Sequence, residues 1–231
     1  MRGAAAGGGA TFGAGVLVVV GASWGGLHAV STILRALPAE CRAPLVVVQH
    51  RSAAGDGLLA ELLQGVTARP VRDVDDKERA CAGHVYLAPP DYHLLVEPAD
   101  DAGGGEDDAA GGLQFALSTD APVRYSRPSI DVTMVSAAEA AGARTLAVVC
   151  TGANDDGARG ARRVVERGGA ALVQDPATAE VRTMPEAACR HLRLAPRPRR
   201  DRWDVAPLDA LGGRIARAVR ALATPGGPVR E

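Results

Sequence analysis

Three residues of this chain have the types that acyl transfer requires, and each follows a short aliphatic run. Ser23 lies in VLVVVGASWGG, three residues past Val20. His50 ends LVVVQH, and Asp156 stands beside Asp155 in LAVVCTGANDDGA. A hydroxyl can attack a carbonyl, an imidazole can take its proton, and a carboxylate can hold the imidazole tautomer and stabilise the imidazolium. A serine at a strand-to-helix turn also has free helix N–H groups beside it, suited to receive an oxyanion.

Taken singly, each residue has a plainer role. A serine just before a helix is most often an N-cap. A histidine at a strand end is commonly a structural hydrogen-bonder, and an Asp pair is commonly a turn device. Gly21, Gly25 and Gly26 also suggest a phosphate cradle, but Ser23 occupies the middle glycine of a G-x-G-x-x-G pattern. Gln49, His50 and Arg51 stand where a ribose-binding acid is expected to follow the next strand. GASWG matches the G-x-S-x-G nucleophile elbow as well. Chain order argues against the hydrolase fold that uses that elbow, because there the acid precedes the histidine, whereas His50 precedes Asp156 here. The residues alone leave a cap, a cradle and a nucleophile open for Ser23. Their joint placement favours the nucleophile.

That placement depends on the elements around them. Val16–Val20, Leu45–Gln49, residues 146–150 and residues 171–175 read as buried strands. LHAVSTILRALP, GLLAELLQGV (57–66), SIDVTMVSAAEAAG (129–142), GARGARRVVERGG (157–169) and LDALGGRIARAVRAL read as helices. VRDV and HVYLAP suggest short strands. HLLVEP and LQFALS flank ADDAGGGEDDAAGG, which reads as a hairpin with a flexible acidic tip. Alternating strands and helices with continuous aliphatic strands predict an α/β fold: a doubly wound, mainly parallel sheet with helices on both faces and a small antiparallel hairpin. Functional crevices in such sheets lie beyond the carboxyl ends of the strands, where Ser23, His50 and Asp156 fall.

Composition bounds the function. The chain has 231 residues, enough for one α/β domain, and 47% are apolar, so a packed core is expected. Residues 1–14 read as a disordered tail and residues 15–224 as a single domain. A net charge of −1 gives no general attraction to nucleic acid or anionic membranes, and 3% aromatic residues argue against base-stacking platforms. The aliphatic runs are strand-length, far from the ~20 residues of a membrane span. The four cysteines, Cys41, Cys81, Cys150 and Cys189, form no CxxC motif and suit free thiols in a reducing compartment. The N-terminus makes a poor signal peptide, so a cytoplasmic location is expected. Neither a metal nor a cofactor is called for. Among the other histidines, His28 sits in a helix, His84 opens a strand, His191 joins an arginine tract, and His93 of PPDYH is a candidate to line the cleft.

Six blocks taken in order, VVVGASWGG, VVVQHR, GHVYLAPPDYHLL, RPSIDVTMVSAA, VVCTGANDDGA and VQDPATAEVRTMPEAA, closely resemble the catalytic domain of the chemotaxis protein-glutamate methylesterases, the CheB family. The resemblance covers roughly residues 16–190. It implies a doubly wound α/β fold and hydrolysis of γ-glutamyl methyl esters on methyl-accepting chemoreceptor helices, with release of methanol and, in many members, glutamine deamidation. It puts the nucleophile on Ser23, the base on His50 and the acid on Asp156 rather than Asp155. The oxyanion donors it implies are the backbone N–H groups of Trp24 and Ala153. Arg127, Pro128 and Ser129 match a signature to which no chemical step is attached.

Three features depart from that pattern. Trp24 is bulky where small residues or Thr are usual, and Ala153 replaces a Met. CRHLRLAPRPRRDRW carries Arg190, Arg193, Arg197, Arg199, Arg200 and Arg202; it reads as a solvated, Pro-broken loop, with a docking patch for acidic receptor helices as the alternative. The family's common architecture places a receiver domain ahead of the esterase, where this sequence has about fourteen tail residues; the expectation is a stand-alone domain, either constitutive or gated by a separate receiver or kinase protein. A non-catalytic signalling adaptor and a nucleotide-binding module are the competing functional classes.

Overall fold

The computed structural model describes residues 10–51, 58–99, 112–195 and 201–224. Seven strands form a parallel sheet: β1 (Leu17–Ala22), β2 (Leu45–Gln49), β3 (Val71–Asp73), β4 (Val85–Leu87), β7 (Thr145–Val149), β8 (Ala170–Gln174) and β9 (Trp203–Ala206). Their order is β3-β4-β2-β1-β7-β8-β9. Strands β5 (His93–Pro98) and β6 (Leu113–Ser118) pair antiparallel as a separate hairpin. The hairpin ladder forms as the sequence implies; its acidic tip, residues 100–111, lies outside the described residues.

The continuous aliphatic strands are explained by cover on both faces. Leu17, Val19, Val46, Val48, Ala147 and Val149 face a core shared with Ile130, Met134 and Val164. That core is closed by α3 (Ile130–Ala141), α4 (Ala158–Glu166) and α5 (Thr183–Arg193). Val18, Val20, Leu45, Val47, Leu146 and Val148 face the other, with Ile33, Leu34, Leu211 and Ile215 from α1 (Gly26–Ala36) and α6 (Leu208–Ala223). The short α2 (Leu58–Gln64) contributes Leu63 to this second face.

Two elements differ from the sequence reading. TMPEAACRHLR forms α5, so Arg190 and Arg193 are helical rather than in a Pro-broken loop. Met184, Pro185, Ala187, Ala188 and Leu192 are buried on one side of it, which supplies the amphipathic stripe that the arginines obscured. Trp203–Ala206 adds a seventh strand, paired in parallel with β8. Arg197, Arg199 and Arg200 lie outside the described residues, while Arg202 donates to the Gly168 carbonyl. Phe12, which the sequence reading assigns to the tail, bridges to Cys41 and lies under the Arg220 guanidinium. Among the described residues no helix is long and apolar enough to cross a membrane.

The helices that carry the site pack very closely. A Cβ on Gly160 of α4 would lie 2.6 Å from the Met134 Cβ and 3.2 Å from the Asp131 backbone on α3. Neither neighbour is the free end of a flexible chain. Gly160→Ala is therefore expected to destabilise the fold by about 1–3 kcal/mol, despite alanine's better helix propensity. The urea midpoint of the variant measures this.

Candidate active site

The parallel order reverses between β1 and β7, and the residues of interest sit beyond the carboxyl ends of β1, β2 and β7. This is the switch point at which open α/β sheets place their sites. Register brings the neighbours together: Ala22 pairs with Gln49, and the His50 N–H donates to the Ala22 carbonyl at 3.0 Å. Ser23 and His50 therefore leave adjacent strands side by side.

The turn around Ser23 is held from three directions. The Ser23 N–H donates to the Thr151 carbonyl, and the Ser23 carbonyl accepts from the Gly26 N–H and the Gln49 side chain. The Thr151 hydroxyl donates to the Trp24 carbonyl at 2.9 Å. The cap of α1 is Gly25, left-handed at φ 75°, with no side-chain capping bond. Ser23 is thus not the N-cap that its sequence position allowed. A Cβ on Gly152 would stand 2.9 Å from the Ser23 Cβ, so only glycine lets the β7 loop approach the serine this closely.

Asp156 is completely buried, and its carboxylate accepts from five donors. These are His50 Nε2 at 2.8 Å, the Ser129 hydroxyl at 3.0 Å, and the backbone N–H groups of Ile130 (2.8 Å), Asp131 (2.8 Å) and Gly157 (3.0 Å). Three of the donors come from the start of α3, whose dipole also favours a negative charge there. Burial pushes the Asp156 carboxyl up. The bonds from His50, Asp131 and Ile130, with the His50 charge, outweigh it and hold the group below its ordinary range. Asp155 is half-buried and pairs with Arg124, so the two neighbouring acids have different surroundings.

His50 uses Nε2 for Asp156, which leaves Nδ1 as the ring nitrogen available for proton transfer. Among the described residues no hydrogen bond links the Ser23 hydroxyl to His50. Trp24 and Ala153 make no backbone N–H bond among the described residues, and both lie beside the serine in chain or loop. The Trp24 ring does not fill the turn; it is 67% exposed and donates from Nε1 to Glu180 at 2.9 Å. Cys150 directly follows β7, but burial pushes its thiol up to about 12, leaving it un-ionised and a poor nucleophile. No cluster of three or more His, Cys, Asp or Glu residues suited to a metal exists among the described residues.

Sequence reasoning missed the acid's support. His93 does not line the cleft; it is 2% exposed. Its Nε2 bonds the Ala121 carbonyl, and its Nδ1 accepts from the Ser129 N–H at 3.1 Å. These partners fix one neutral tautomer and continue the chain His93–Ser129–Asp156–His50. Asp131 was missed too: it is buried in the first turn of α3 and accepts from Gly160 N–H and Arg159. The available signal was RPSID, a serine cap with an acid two residues on, which looks like ordinary helix capping.

A profile described as CheB methylesterase matches residues 18–195. A Leptospira interrogans protein, whose name marks it provisionally as a protein-glutamate methylesterase/protein-glutamine glutaminase, is 40% identical over 171 residues. That alignment covers 74% of this chain and 82% of the relative. A protein-glutamate methylesterase/protein-glutamine glutaminase of a Nocardioides species is also 40% identical, but the chain spans only 44% of its length. The crystal structure of the Thermotoga maritima CheB methylesterase catalytic domain superposes with a TM-score of 0.76 at 30% identity, covering 87% of this chain and 97% of that one.

The Asp156 environment makes two testable statements. Removing the Ser129 hydroxyl deprives the buried carboxylate of a donor and α3 of its cap, so Ser129→Ala should lose about 1–3 kcal/mol in urea unfolding. A carboxyl whose folded pKa lies below its unfolded value contributes stability that is present above the unfolded value, near 4, and lost as pH falls through the folded one. Stability should therefore drop below about pH 4, and Asp156→Asn should flatten that drop in unfolding midpoints measured across the acid range.

Proposed function

The chain belongs to the CheB methylesterase family, and from that premise we propose that it hydrolyses γ-glutamyl methyl esters on chemoreceptor helices, releasing methanol, and deamidates receptor glutamines. The observation that carries this reading is the 2.8 Å bond between His50 and the fully buried Asp156, formed at the sheet edge where Ser23 emerges. We assign Ser23 as nucleophile, His50 as base and Asp156 as the group that orients and stabilises the imidazolium.

On this reading Ser23 Oγ attacks the ester carbonyl as His50 Nδ1 takes its proton. The developing imidazolium is stabilised through Nε2 by Asp156, which stays ionised because its five donors favour the charged form. The backbone N–H groups of Trp24 and Ala153 receive the oxyanion. The imidazolium returns the proton to the departing methoxide, giving methanol and a glutamyl ester of Ser23. Water, deprotonated by the same imidazole, then frees the glutamate. With a glutamine side chain the leaving group is ammonia and the rest is unchanged.

We take residues 15–224 as one catalytic domain acting in the cytoplasm. Methyl-accepting chemoreceptors are its partners, with control from a receiver or kinase module.

Ser23→Ala is expected to lower methanol release from methylated receptor membranes by at least a thousandfold without altering the unfolding midpoint. A fluorophosphonate probe should label Ser23 in the parent chain alone. A parent chain that fails to label, or a Ser23→Ala variant that still releases methanol, would assign the fold to an adaptor or the chemistry to another residue.

A further inference from the structure

Two aromatic side chains beside the candidate site, Trp24 and Tyr125, are turned to solvent. Trp24 follows the nucleophile directly and is 67% exposed, its indole pinned by the bond to Glu180. Tyr125 lines a cavity of about 450 Å3 together with His50, Arg51, Asp91 and Arg127, yet is fully exposed. The wall it stands on is firm. Arg127 donates to Asp91 and to the carbonyls of Thr119 and Asp120.

The backbone under Tyr125 is strained. Val123 and Ser126 exchange two backbone hydrogen bonds, and the corner residues Arg124 and Tyr125 both have positive φ, 50° and 64°. Such primed turns normally take Asn-Gly, because side chains larger than these cost about 1–2 kcal/mol each in left-handed conformation. Arg124 gives something back, since it reaches Asp155 beside the triad acid. Among the described residues the fully exposed Tyr125 side chain makes no hydrogen bond, ion pair or ring contact that would offset its strain. Strain held at a cleft without an internal return points outward, to a ligand.

We propose that Trp24 and Tyr125 form the rim of a docking surface for the protein substrate: a convex helical segment whose esterified glutamyl side chain enters the cavity beside His50. This rests on the hydrolase reading above. A small free ester would be expected to need an enclosed, largely apolar pocket, whereas rigid Trp and Tyr side chains with wet faces are what protein contacts favour at their centres. Trp24 directly follows Ser23 in the serine turn, and Tyr125 lines the cavity beside His50, so each aromatic adjoins a residue assigned to the chemistry.

The test is a ratio of specificities, measured with the full chain. kcat/KM is determined for methylated receptor membranes and for p-nitrophenyl acetate, in the parent, Tyr125→Ala and Tyr125→Phe. Tyr125→Ala should lower the receptor-to-small-ester ratio at least tenfold, chiefly through KM, while Tyr125→Phe should restore most of it. If both rates fall together, or neither falls, the rim is overturned while Ser23-dependent turnover still upholds the hydrolase reading. Turnover by the parent that does not depend on Ser23 would overturn the hydrolase reading, and the rim with it.

Discussion

A carboxylate removed from water needs several kcal/mol of compensation, and Asp156 receives it from hydrogen-bond donors on every side. The arrangement around the site follows from this requirement. The α3 N-terminus must point at the carboxylate, Ser129 must cap that helix and also reach the acid, and His93 must hold Ser129 from behind. Asp131 extends the same logic outward, tying the first turn of α3 to Gly160 of α4. A group that is costly to bury thereby sets the positions of two helices and of the histidine it orients.

The sheet supplies the other half of the geometry. Parallel pairing of β1 with β2 and with β7 brings three strand ends to one edge, and aliphatic cover on both faces makes that edge rigid. Close approach is then possible only where side chains are absent. Gly152 admits the β7 loop to the serine, and Gly160 admits α4 to α3. Thr151 joins these parts, donating to the Trp24 carbonyl and accepting from the Val181 N–H. A small set of polar residues between the strand ends therefore decides how Ser23, His50 and Asp156 stand relative to one another.

Much of the fold was legible because its signals are local. Runs such as LVVVG and TLAVV are too apolar and too short for anything but buried strands, and SIDVTMVSAAEAA carries its cap and its apolar face together. The failures were places where local signals conflict. Helix α5 was hidden because arginines and prolines dominate CRHLRLAPRPRRDRW, while the apolar stripe that makes it helical begins earlier, at Met184. Strand β9 is four residues long and gains its identity from pairing with β8. His93 looked like a cleft residue because PPDYH lies near a strand end; the hairpin turns that position inward.

By itself the sequence determined the class of fold, the candidate residues for acyl transfer and the strand ends from which they emerge, since each depends on composition and spacing within about ten residues. Only the tertiary structure decided that Asp155 is half-buried while Asp156 is completely buried. It also decided that His50 meets the acid through Nε2, and that Ser129 and His93 stand behind that acid. Those outcomes are set by hydrogen bonds between residues 27 to 106 positions apart. A buried polar atom takes whatever partner packing brings to it, and no local pattern records which partner that will be.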